Sequence, residues 1–309
     1  MFSRSWLVGL IQLCLIGLLV LAGWGLVRFL RRRKPFRLAV AIIILATGAV
    51  ALYSTVEPSL LRTVHTEILL DEGQTSQSLR IAFLSDFHLG LFAGADRLAT
   101  TVERVNQEQP DIILLGGDFV YRASPSALGD LLAPLANLQA PLGVFAVLGN
   151  HDYGKPGTNV SAELARLFAT WGIHLLHNEQ VAMNGWTLVG IDDFEASKAN
   201  LMLAVKGVPV NRPAVFLCHN GDVLLDQDPA TVFPNGGVDR FLWLFGHTHG
   251  GQARLQGIGP LFRAGKSPWI LGLYPTEWGQ IFLTAGTGET WVPIRFNCRP
   301  EVGILDCRF

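Results

Sequence analysis

Five short, largely apolar runs in this chain each end at a side chain that can bind a metal ion or transfer a proton. The runs are RIAFLS, DIILLG, GVFAVLG, AVFLC and FLWLF, and the residues that follow them are DFH, GD, NHD, H and GHTH. Continuous apolar runs of this length are typical of strands that are buried on both faces of a sheet. Because the carboxyl ends of such strands meet at one edge of an open α/β sheet, we expect these polar side chains to converge.

The order of the predicted elements indicates an α/β fold. The first predicted strands and helices alternate, and they cover 80–85, 95–109, 111–116, 126–138, 143–149 and 160–171. The segment VAMNGWTLVGI predicts a β-hairpin, because Asn184–Gly185 is a strong signal for a tight hairpin turn. Further strands are predicted at 214–218, 241–245, 281–285, 294–297 and 302–308. Since few helices separate these later strands, they predict a mixed sheet or a second sheet.

Two uncharged apolar runs precede this domain, at 5–27 and 38–56. A helix needs about 20 apolar residues to cross a bilayer, and both runs reach that length. The first run is too long for a cleavable signal peptide and lacks a convincing cleavage site of small residues. We therefore predict a two-helix transmembrane hairpin at 1–56, followed by one catalytic domain at 57–309.

The connector between the two runs carries six positive charges, on Arg28, Arg31, Arg32, Arg33, Lys34 and Arg37. Short loops that are rich in lysine and arginine stay in the cytoplasm. We therefore expect a two-span protein of the cell (inner) membrane, with both termini and the catalytic domain on the extracytoplasmic, periplasmic side. The arginine cluster also resembles a twin-arginine export signal, which would export the same domain.

Net charge and cysteine content narrow the function only slightly. The net charge of −1 argues against a nucleic-acid-binding protein, which usually carries a basic face. Cys14 lies in the first apolar run and Cys218 in a predicted buried strand. Cys298 and Cys307 fall in the last two predicted strands, where they could pair across a hairpin in an oxidising compartment. The oligomeric state is not indicated by the sequence.

The residue types that follow the strands indicate a site for two metal ions. Carboxylates, a carboxamide and imidazoles form a mixed oxygen and nitrogen set, which suits Mn²⁺, Fe²⁺, Zn²⁺ or Co²⁺ better than Ca²⁺. One catalytic ion usually takes three protein ligands, so this set is large enough for two ions about 3.5–4 Å apart. The remaining histidines, His65, His174 and His177, have no such setting and are expected to be structural.

The motifs SDFHLG, GGDF, GNHD, CHNGD and GHTHGGQ resemble the signature blocks of the calcineurin-like metallophosphoesterases. The closing VPIRFNCRPEVGIL resembles a branch of membrane-attached bacterial phosphodiesterases within that family. The resemblance runs from about residue 80 to the C-terminus, and it implies a two-sheet αββα sandwich with a dinuclear metal centre. The metal ligands that it implies are Asp86, His88 and His249 for the first ion, Asn150, His219 and His247 for the second, and Asp118 as the bridge.

The resemblance also implies two catalytic residues. His151 would be the histidine that binds no metal and instead protonates the leaving oxygen or stabilises the phosphoryl oxygens. Asp152 would orient His151. The chain departs from related sequences at Tyr121, where an acidic residue is common, and at Asn220-Gly221-Asp222, where Asn-Pro-Asp is common. Neither departure removes a metal ligand. They therefore bear on the residues around the ligands and on substrate preference, and not on the chemistry.

These implications predict phosphoester hydrolysis by attack of a metal-bridging hydroxide. We expect a membrane-anchored phosphodiesterase that acts on a lipid-linked or cell-envelope phosphodiester, with the lipid bilayer as its partner. The stretch 261–278, with Trp269, Tyr274 and Trp278, has the composition of a membrane interface, although a covered loop or a sheet edge has the same composition. The alternatives are a phosphomonoesterase or protein phosphatase with the same metals, and a non-catalytic metal-binding membrane sensor.

Overall fold

The protein is described from a computed structural model, which covers residue 14 and residues 17–25, 35–70, 77–227, 229–233 and 238–308. The strands of this part of the chain are, in order, β1 (Arg62–Leu69), β2 (Ser78–Leu84), β3 (Leu89–Gly90), β4 (Ile112–Leu115), β5 (Val120–Tyr121), β6 (Val144–Ala146), β7 (Ile173–Leu175), β8 (Glu179–Ala182), β9 (Thr187–Ile191), β10 (Ala214–Cys218), β11 (Phe241–Phe245), β12 (Arg254–Leu255), β13 (Gly259–Pro260), β14 (Gly272–Thr276), β15 (Gly279–Leu283) and β16 (Glu301–Arg308). The α-helices are α1 (Pro35–Val56), α2 (Ala95–Gln107), α3 (Leu128–Leu132), α4 (Ser161–Trp171), α5 (Leu201–Ala204), α6 (Val223–Asp226) and α7 (Pro229–Val232). Short 3₁₀ turns occupy Glu57–Ser59, Pro125–Ala127, Ala133–Asn137, Val238–Arg240 and His249–Gly251.

Two six-stranded sheets form the centre of the domain. The first has the order β1-β16-β2-β4-β6-β7, in which β2, β4, β6 and β7 are parallel and β16 runs antiparallel to β2. The second has the order β14-β15-β11-β10-β9-β8, with four parallel central strands and an antiparallel strand at each edge. The expected α/β fold with mixed sheets is confirmed.

Alternating side chains divide the core into three layers. In β2, Phe83 points into the layer between the two sheets, while Leu84 points to the layer under α2, α3 and α4. In β10, Leu217 points into the same central layer, and Phe216 points to the outer layer under α5 and α6. Both faces of both sheets are therefore covered, which is why their strands read as continuous apolar runs rather than alternating ones. The arrangement is the two-sheet sandwich with outer helices that the resemblance implies.

Three local expectations can be compared with the structure. The hairpin forms as predicted, with Gly185 at a φ of +85° between β8 and β9. The predicted helix at 126–138 is wrong in its length: α3 is only one of three short pieces, because Pro134 has no N–H to donate and its ring clashes with the preceding turn. The predicted strand at 294–297 is wrong, since Phe296 pairs only through an isolated bridge with Ala253.

The cysteines do not pair. Cys218, Cys298 and Cys307 are buried free thiols, and Cys14 is an exposed free thiol. Cys307 lies in β16 with its side chain in the layer between the sheets, whereas the Cys298 thiol donates to the carbonyl of His249 at 3.3 Å. The Cys298–Cys307 bond that the sequence left open is therefore not formed, because Cys298 lies in a loop and not in a strand beside β16.

The helix α1 is long and apolar enough to cross a membrane, and Val40–Ser59 form its candidate span. Many of its side chains are exposed, including Ile42 and Ile43, as expected for a helix that faces lipid. Of the first expected span, the structure describes residue 14 and residues 17–25, which are helical, and the rest lies outside the described residues. The described part of the chain thus contains one candidate span, and the two-helix hairpin stays a prediction.

Candidate metal centre

The predicted metal ligands lie in the tight turns that follow β2, β4, β6, β10 and β11. Five of them have left-handed backbone conformations with positive φ: Asp86 (+54°), His88 (+46°), Asp118 (+55°), His247 (+64°) and His249 (+51°). Such conformations cost a non-glycine residue about 1–3 kcal/mol each, and they are retained where the surrounding structure holds them. Here the backbone amides of Asp86 and His88 donate to the carbonyls of Gly117 and Asp118, each at 3.0 Å. The strain is therefore concentrated where the five strand ends meet.

Two glycines are required because the turns pack against the carboxylates. A Cβ atom at Gly149 would overlap the Asp118 carboxylate, and one at Gly246 would overlap Ser85 and Asp86. Only glycine allows the backbone to approach this closely. The glycines of GNHD and GHTH thus bring the chain up to the acids that follow the first two strands.

A first cluster consists of Asp86, His88 and His249, all three buried. The Nε2 atoms of the two imidazoles lie 2.9 Å apart, and His249 Nε2 lies 3.4 Å from Asp86 Oδ1. The Asp86 carboxylate also accepts the backbone N–H of His247 at 3.0 Å, so it is held in place from the opposite turn. The three side chains converge closely enough to hold one metal ion.

Asp118 lies at the centre of the site. Its Oδ2 is 3.2 Å from His219 Nε2, 3.5 Å from His88 Nε2 and 4.0 Å from His151 Nε2. Its other oxygen, Oδ1, accepts the backbone N–H of His151 at 2.9 Å. One carboxylate therefore faces imidazoles from three different turns, which is the position that a bridging ligand requires.

Two members of the second predicted set, Asn150 and His219, offer free ligand atoms, and the ring of the third, His247, lies 5.2 Å from that of His219 between centroids. The Nδ1–H of His219 donates to the Gly116 carbonyl at 2.8 Å, so that Nε2 faces Asp118 and has no hydrogen-bond partner. The side-chain N–H of Asn150 donates to the Lys155 carbonyl, which leaves the buried Oδ1 without a partner. A buried polar atom without a partner is costly, and a metal ion would satisfy both.

The protonation states of three imidazoles in the site also fit metal binding. Burial lowers the pKa of His88 to about 3 and that of His247 to about 4, and it lowers the pKa of His249 well below the usual range. Neutral imidazoles bind metals, so these three are ready to do so near pH 7. Burial opposes the charges of Asp118 and His219, but their mutual attraction overrides it, lowering the pKa of the acid and raising that of the imidazole.

His151 lies beside the cluster rather than within it. Its ring packs edge-on against His88 at 4.9 Å and against Tyr121 at 5.1 Å between centroids. Burial lowers the pKa of His151. Tyr121 thus occupies the place of the acidic residue that related sequences often carry, and it supports the catalytic candidate by packing instead of by charge.

The resemblance implied that Asp152 orients His151, whereas in the structure the Asp152 carboxylate accepts hydrogen bonds from backbone amides. Its Oδ2 accepts the backbone amides of Asp118 and Gly149, each at 2.9 Å. Its Oδ1 accepts those of Phe119 at 2.9 Å and Val120 at 3.3 Å. The carboxylate is fully occupied by the two turns that follow β4 and β6, so it fixes the backbone of the site and does not orient the His151 ring.

Above the cluster lies a cleft of about 280 Å³, and its lining contains residues that sequence reasoning missed. These are Arg122, Lys155, Glu195, Thr290 and Trp291. Glu195 Oε2 lies 3.7 Å from His247 Nε2, and it follows β9, whose end carries two more acids in GIDDFE. This sixth strand end, with its acidic residues, was the sequence signal that could have identified Glu195. The other four lie in loops whose positions no local pattern predicts.

Two further expectations concern the loop 261–278. Asp222, the last residue of the Asn220-Gly221-Asp222 motif, accepts the backbone amides of Lys266 at 2.9 Å and Ser267 at 2.7 Å. These bonds hold the loop beside the cleft. Trp269 is buried, and its ring packs against that of Trp278 at 5.7 Å between centroids. Of the alternatives that the sequence left open for Trp269, Tyr274 and Trp278, the structure matches the covered loop and sheet edge, because these three side chains pack on the outer layer of the second sheet.

Residues 79–251 match the family model described as calcineurin-like phosphoesterase. The chain is 30% identical to "Phosphodiesterase YaeI" of Escherichia coli over 283 residues, which cover 89% of this chain and 98% of that protein. It is 30% identical to "Transmembrane protein with metallophosphoesterase domain" of Bos taurus, over 88% of this chain but only 62% of that protein.

A third relative is an "Uncharacterized metallophosphoesterase" of Helicobacter pylori, which is 32% identical over 248 residues, or 78% of this chain and 62% of that protein. The family match begins in β2 and ends in the turn that carries His249, so it includes every predicted metal ligand. On the family match and on these relatives, the chain belongs to the calcineurin-like metallophosphoesterase family.

Proposed function

We propose that this protein is a membrane-anchored phosphodiesterase with two divalent metal ions, and that it hydrolyses a lipid-linked or cell-envelope phosphodiester. The observation that carries the proposal is the convergence of imidazoles from separate turns on Asp118, at the floor of the cleft. The phosphodiesterase name of the Escherichia coli relative, which the chain matches over nearly its whole length, supports a diester rather than a monoester.

In this proposal Asp86, His88 and His249 would hold one ion, Asn150, His219 and His247 would hold the other, and Asp118 would serve both. When bound, two such ions supply Lewis acidity at a phosphoryl oxygen and lower the pKa of water, which is the chemistry of two-metal hydrolases. The mixed donor set favours Mn²⁺, Fe²⁺, Zn²⁺ or Co²⁺.

The protein's own residues bind and orient the ester. Arg122 and Lys155 line the cleft, and their positive charges attract the phosphate anion. Lys155 is oriented by donating to the Glu195 carbonyl at 2.8 Å. His151 stands beside Asp118 at the same cleft, where its imidazole, in the protonated form, can donate a proton to the leaving alcohol oxygen.

The test is hydrolysis by the full chain, purified in mild detergent, of bis-(p-nitrophenyl) phosphate and p-nitrophenyl phosphate with added Mn²⁺. We expect turnover of the diester that is lost with a chelator and restored by the metal. His151→Ala should keep the bound metal but lower kcat by about 10²–10⁴-fold, because it removes the proton donor alone. A clear preference for the monoester would instead favour a phosphomonoesterase, and two bound metals without turnover of either ester would favour the sensor.

Membrane attachment is supported by the apolar helix α1 and by the "transmembrane" name of the bovine relative. A second span at 5–27 is supported by one packing contact: the Leu19 side chain lies directly against Gly48 of α1. A glycine that lets a second helix approach is common between transmembrane helices. We propose that both termini and the catalytic domain lie outside the cytoplasm.

This topology predicts that a reporter fused after Phe309 is active only if it functions outside the cytoplasm. Alkaline phosphatase at that position should be active, and a reporter that requires the cytoplasm should be silent, because the connector between the spans holds the positive charges inside. Fusion of the same two reporters within the connector at 28–37 should reverse both results. The opposite pattern at either position would exclude the proposed orientation.

A further inference from the structure

Two neighbouring loops carry large apolar side chains that are exposed to solvent. They are Ile258 (76% exposed), Leu261 (51%), Phe262 (65%), Trp291 (81%) and Val292 (43%), which we call the apolar rim. The loops are joined directly: Arg254 N donates to the Phe296 carbonyl at 2.8 Å, and Gln252 Nε2 donates to the Thr290 and Val292 carbonyls. A large contiguous exposed apolar patch on a folded domain marks an interaction surface.

The apolar rim is attached to the end of the membrane helix. The Arg295 amide donates to the Ser54 carbonyl of α1 at 2.9 Å, and the rings of Tyr53 and Phe296 pack at 6.3 Å. At the helix end, the buried Glu57 carboxylate accepts the amides of Asn297 and Cys298, both at 2.7 Å. Since the candidate span runs to Ser59, these contacts fix the rim at the level where the helix leaves the bilayer.

The same loop borders the catalytic cleft. Thr290 and Trp291 line the cleft, and so do Ala264 and Gly265, which follow Phe262 closely in the chain. Both loops of the apolar rim therefore contribute residues to the wall of the cleft. A bilayer in contact with the rim would lie directly at the entrance to the site.

The charges around the rim suit a lipid surface. Between residues 251 and 276 there is no acidic residue, and the basic residues are Arg254, Arg263 and Lys266. Arg263 and Lys266 are exposed, and the Arg263 guanidinium donates to the Ser267 carbonyl at 2.6 Å, which holds its positive charge on this loop. Long basic side chains of this kind can place their charge at headgroups while their stems cover apolar surface. Apolar side chains flanked by arginine and lysine are typical of segments that lie in a membrane interface.

We propose that the apolar rim inserts into the bilayer that α1 enters, so that the cleft opens onto the headgroups and takes its diester directly from a lipid of that leaflet. This inference rests on the proposed phosphodiesterase function and adds the route by which the substrate arrives. The anchor then sets the orientation of the cleft and does more than raise the local concentration of substrate.

The first experiment measures membrane contact of the rim. A polarity-sensitive fluorophore is attached to Ile258→Cys, in a Cys14→Ser background of the full chain, and the protein is placed in vesicles that contain acyl-chain spin-labelled lipid. The control is Met202→Cys, which is 62% exposed but lies in α5, outside the two loops. We expect about half of the fluorescence at the rim position to be quenched by the spin label and little at the control, because interfacial side chains reach the acyl boundary.

Equal quenching at the two positions, or none at Ile258→Cys, would overturn the proposal. A fluorophore that is shielded from water but is not quenched by the labelled lipid would also overturn it, because a second protein copy would then cover the rim. These outcomes do not depend on catalysis. They therefore decide the membrane contact even if the proposed function fails.

The second experiment measures the route of the substrate. The double variant Ile258→Gln/Phe262→Gln is compared with wild type on soluble bis-(p-nitrophenyl) phosphate and on phosphatidylglycerol in vesicles. We expect similar rates on the soluble diester and an about tenfold lower rate on the lipid, because burial of each large apolar side chain is strongly favourable. Met202→Gln/Leu203→Gln, a matched loss of exposed apolar surface in α5, should change neither rate.

If the double variant slows both substrates equally, or if wild type hydrolyses the soluble diester but leaves phosphatidylglycerol intact, direct delivery from the bilayer is overturned. Absence of metal-dependent turnover of both diesters is a different result. It would reject the proposed phosphodiesterase, and the quenching experiment alone would then decide whether the rim contacts lipid.

Discussion

Substitution of Asp118 by asparagine is expected to lower kcat/KM for the diester by at least about 10³-fold, because in the proposed two-metal site its charged carboxylate would serve both ions. The structure supplies the reason: Asp118 Oδ2 faces His219 at 3.2 Å and His88 at 3.5 Å, while Oδ1 holds the His151 amide at 2.9 Å. Asparagine keeps the shape and the acceptor for His151 but removes the charge. We expect metal content to fall together with activity.

The measurement is steady-state kinetics on the purified full chain, with metal content determined by elemental analysis. Asp239→Asn makes the same chemical change at an exposed position and should leave both quantities unaltered. If Asp118→Asn retained the metal content of the wild type and more than about a tenth of its activity, this carboxylate would not be a bridging ligand. Loss of a bridging charge is expected to lower activity much further.

Substitution of Asp152 by asparagine is expected to destabilise the fold by about 2–4 kcal/mol, because a buried carboxylate that accepts several amides is replaced by a group that turns an N–H toward some of them. The affected donors are the amides of Asp118, Phe119, Val120 and Gly149. Asparagine has one oxygen for these four amides. In a domain of this size the loss corresponds to a melting temperature lower by about 5–10 °C.

Thermal unfolding of the full chain in detergent with chelator present measures this effect without a contribution from bound metal. Asp130→Asn, an exposed position in α3, is the control and should shift the melting temperature by only a degree or two, about what a surface charge is worth. If Asp152→Asn melts like the wild type but loses activity, the carboxylate acts on His151 after all, as the family resemblance implied.

The turns of the site are the part of the structure that sequence reasoning predicts best. Each buried strand is short, continuous and apolar, and a polar residue that follows it directly has only the sheet edge to occupy. The positions of Asp86, Asp118 and His219 follow from that rule alone. Local pattern fails where a residue's role depends on distant backbone: Asp152 looks like a partner for the neighbouring His151, but its acceptors face amides 32 to 34 residues away as well as Gly149.

Dependence on distant contacts also explains why the sequence left two other features open. Cys298 and Cys307 are close in sequence, but one faces the turn with His249 and the other faces the layer between the sheets. Trp269 and Trp278 have interfacial composition, yet a sheet edge is available to bury them. The composition of a segment indicates what its side chains could contact. Only the packing of the fold decides which of those side chains are buried and which are exposed.

By itself the sequence determined the α/β class, the apolar segment that becomes α1 and the eight residues that we propose for the metal centre and its acid. These features depend on periodicity, length and chemical type, which are local properties of the chain. The tertiary structure decided that Asp152 supports backbone, that Arg122, Lys155 and Trp291 line the cleft, and that the loop beside them is fastened to the end of α1. Those facts depend on contacts between residues separated by tens to hundreds of positions, and no local pattern records such contacts.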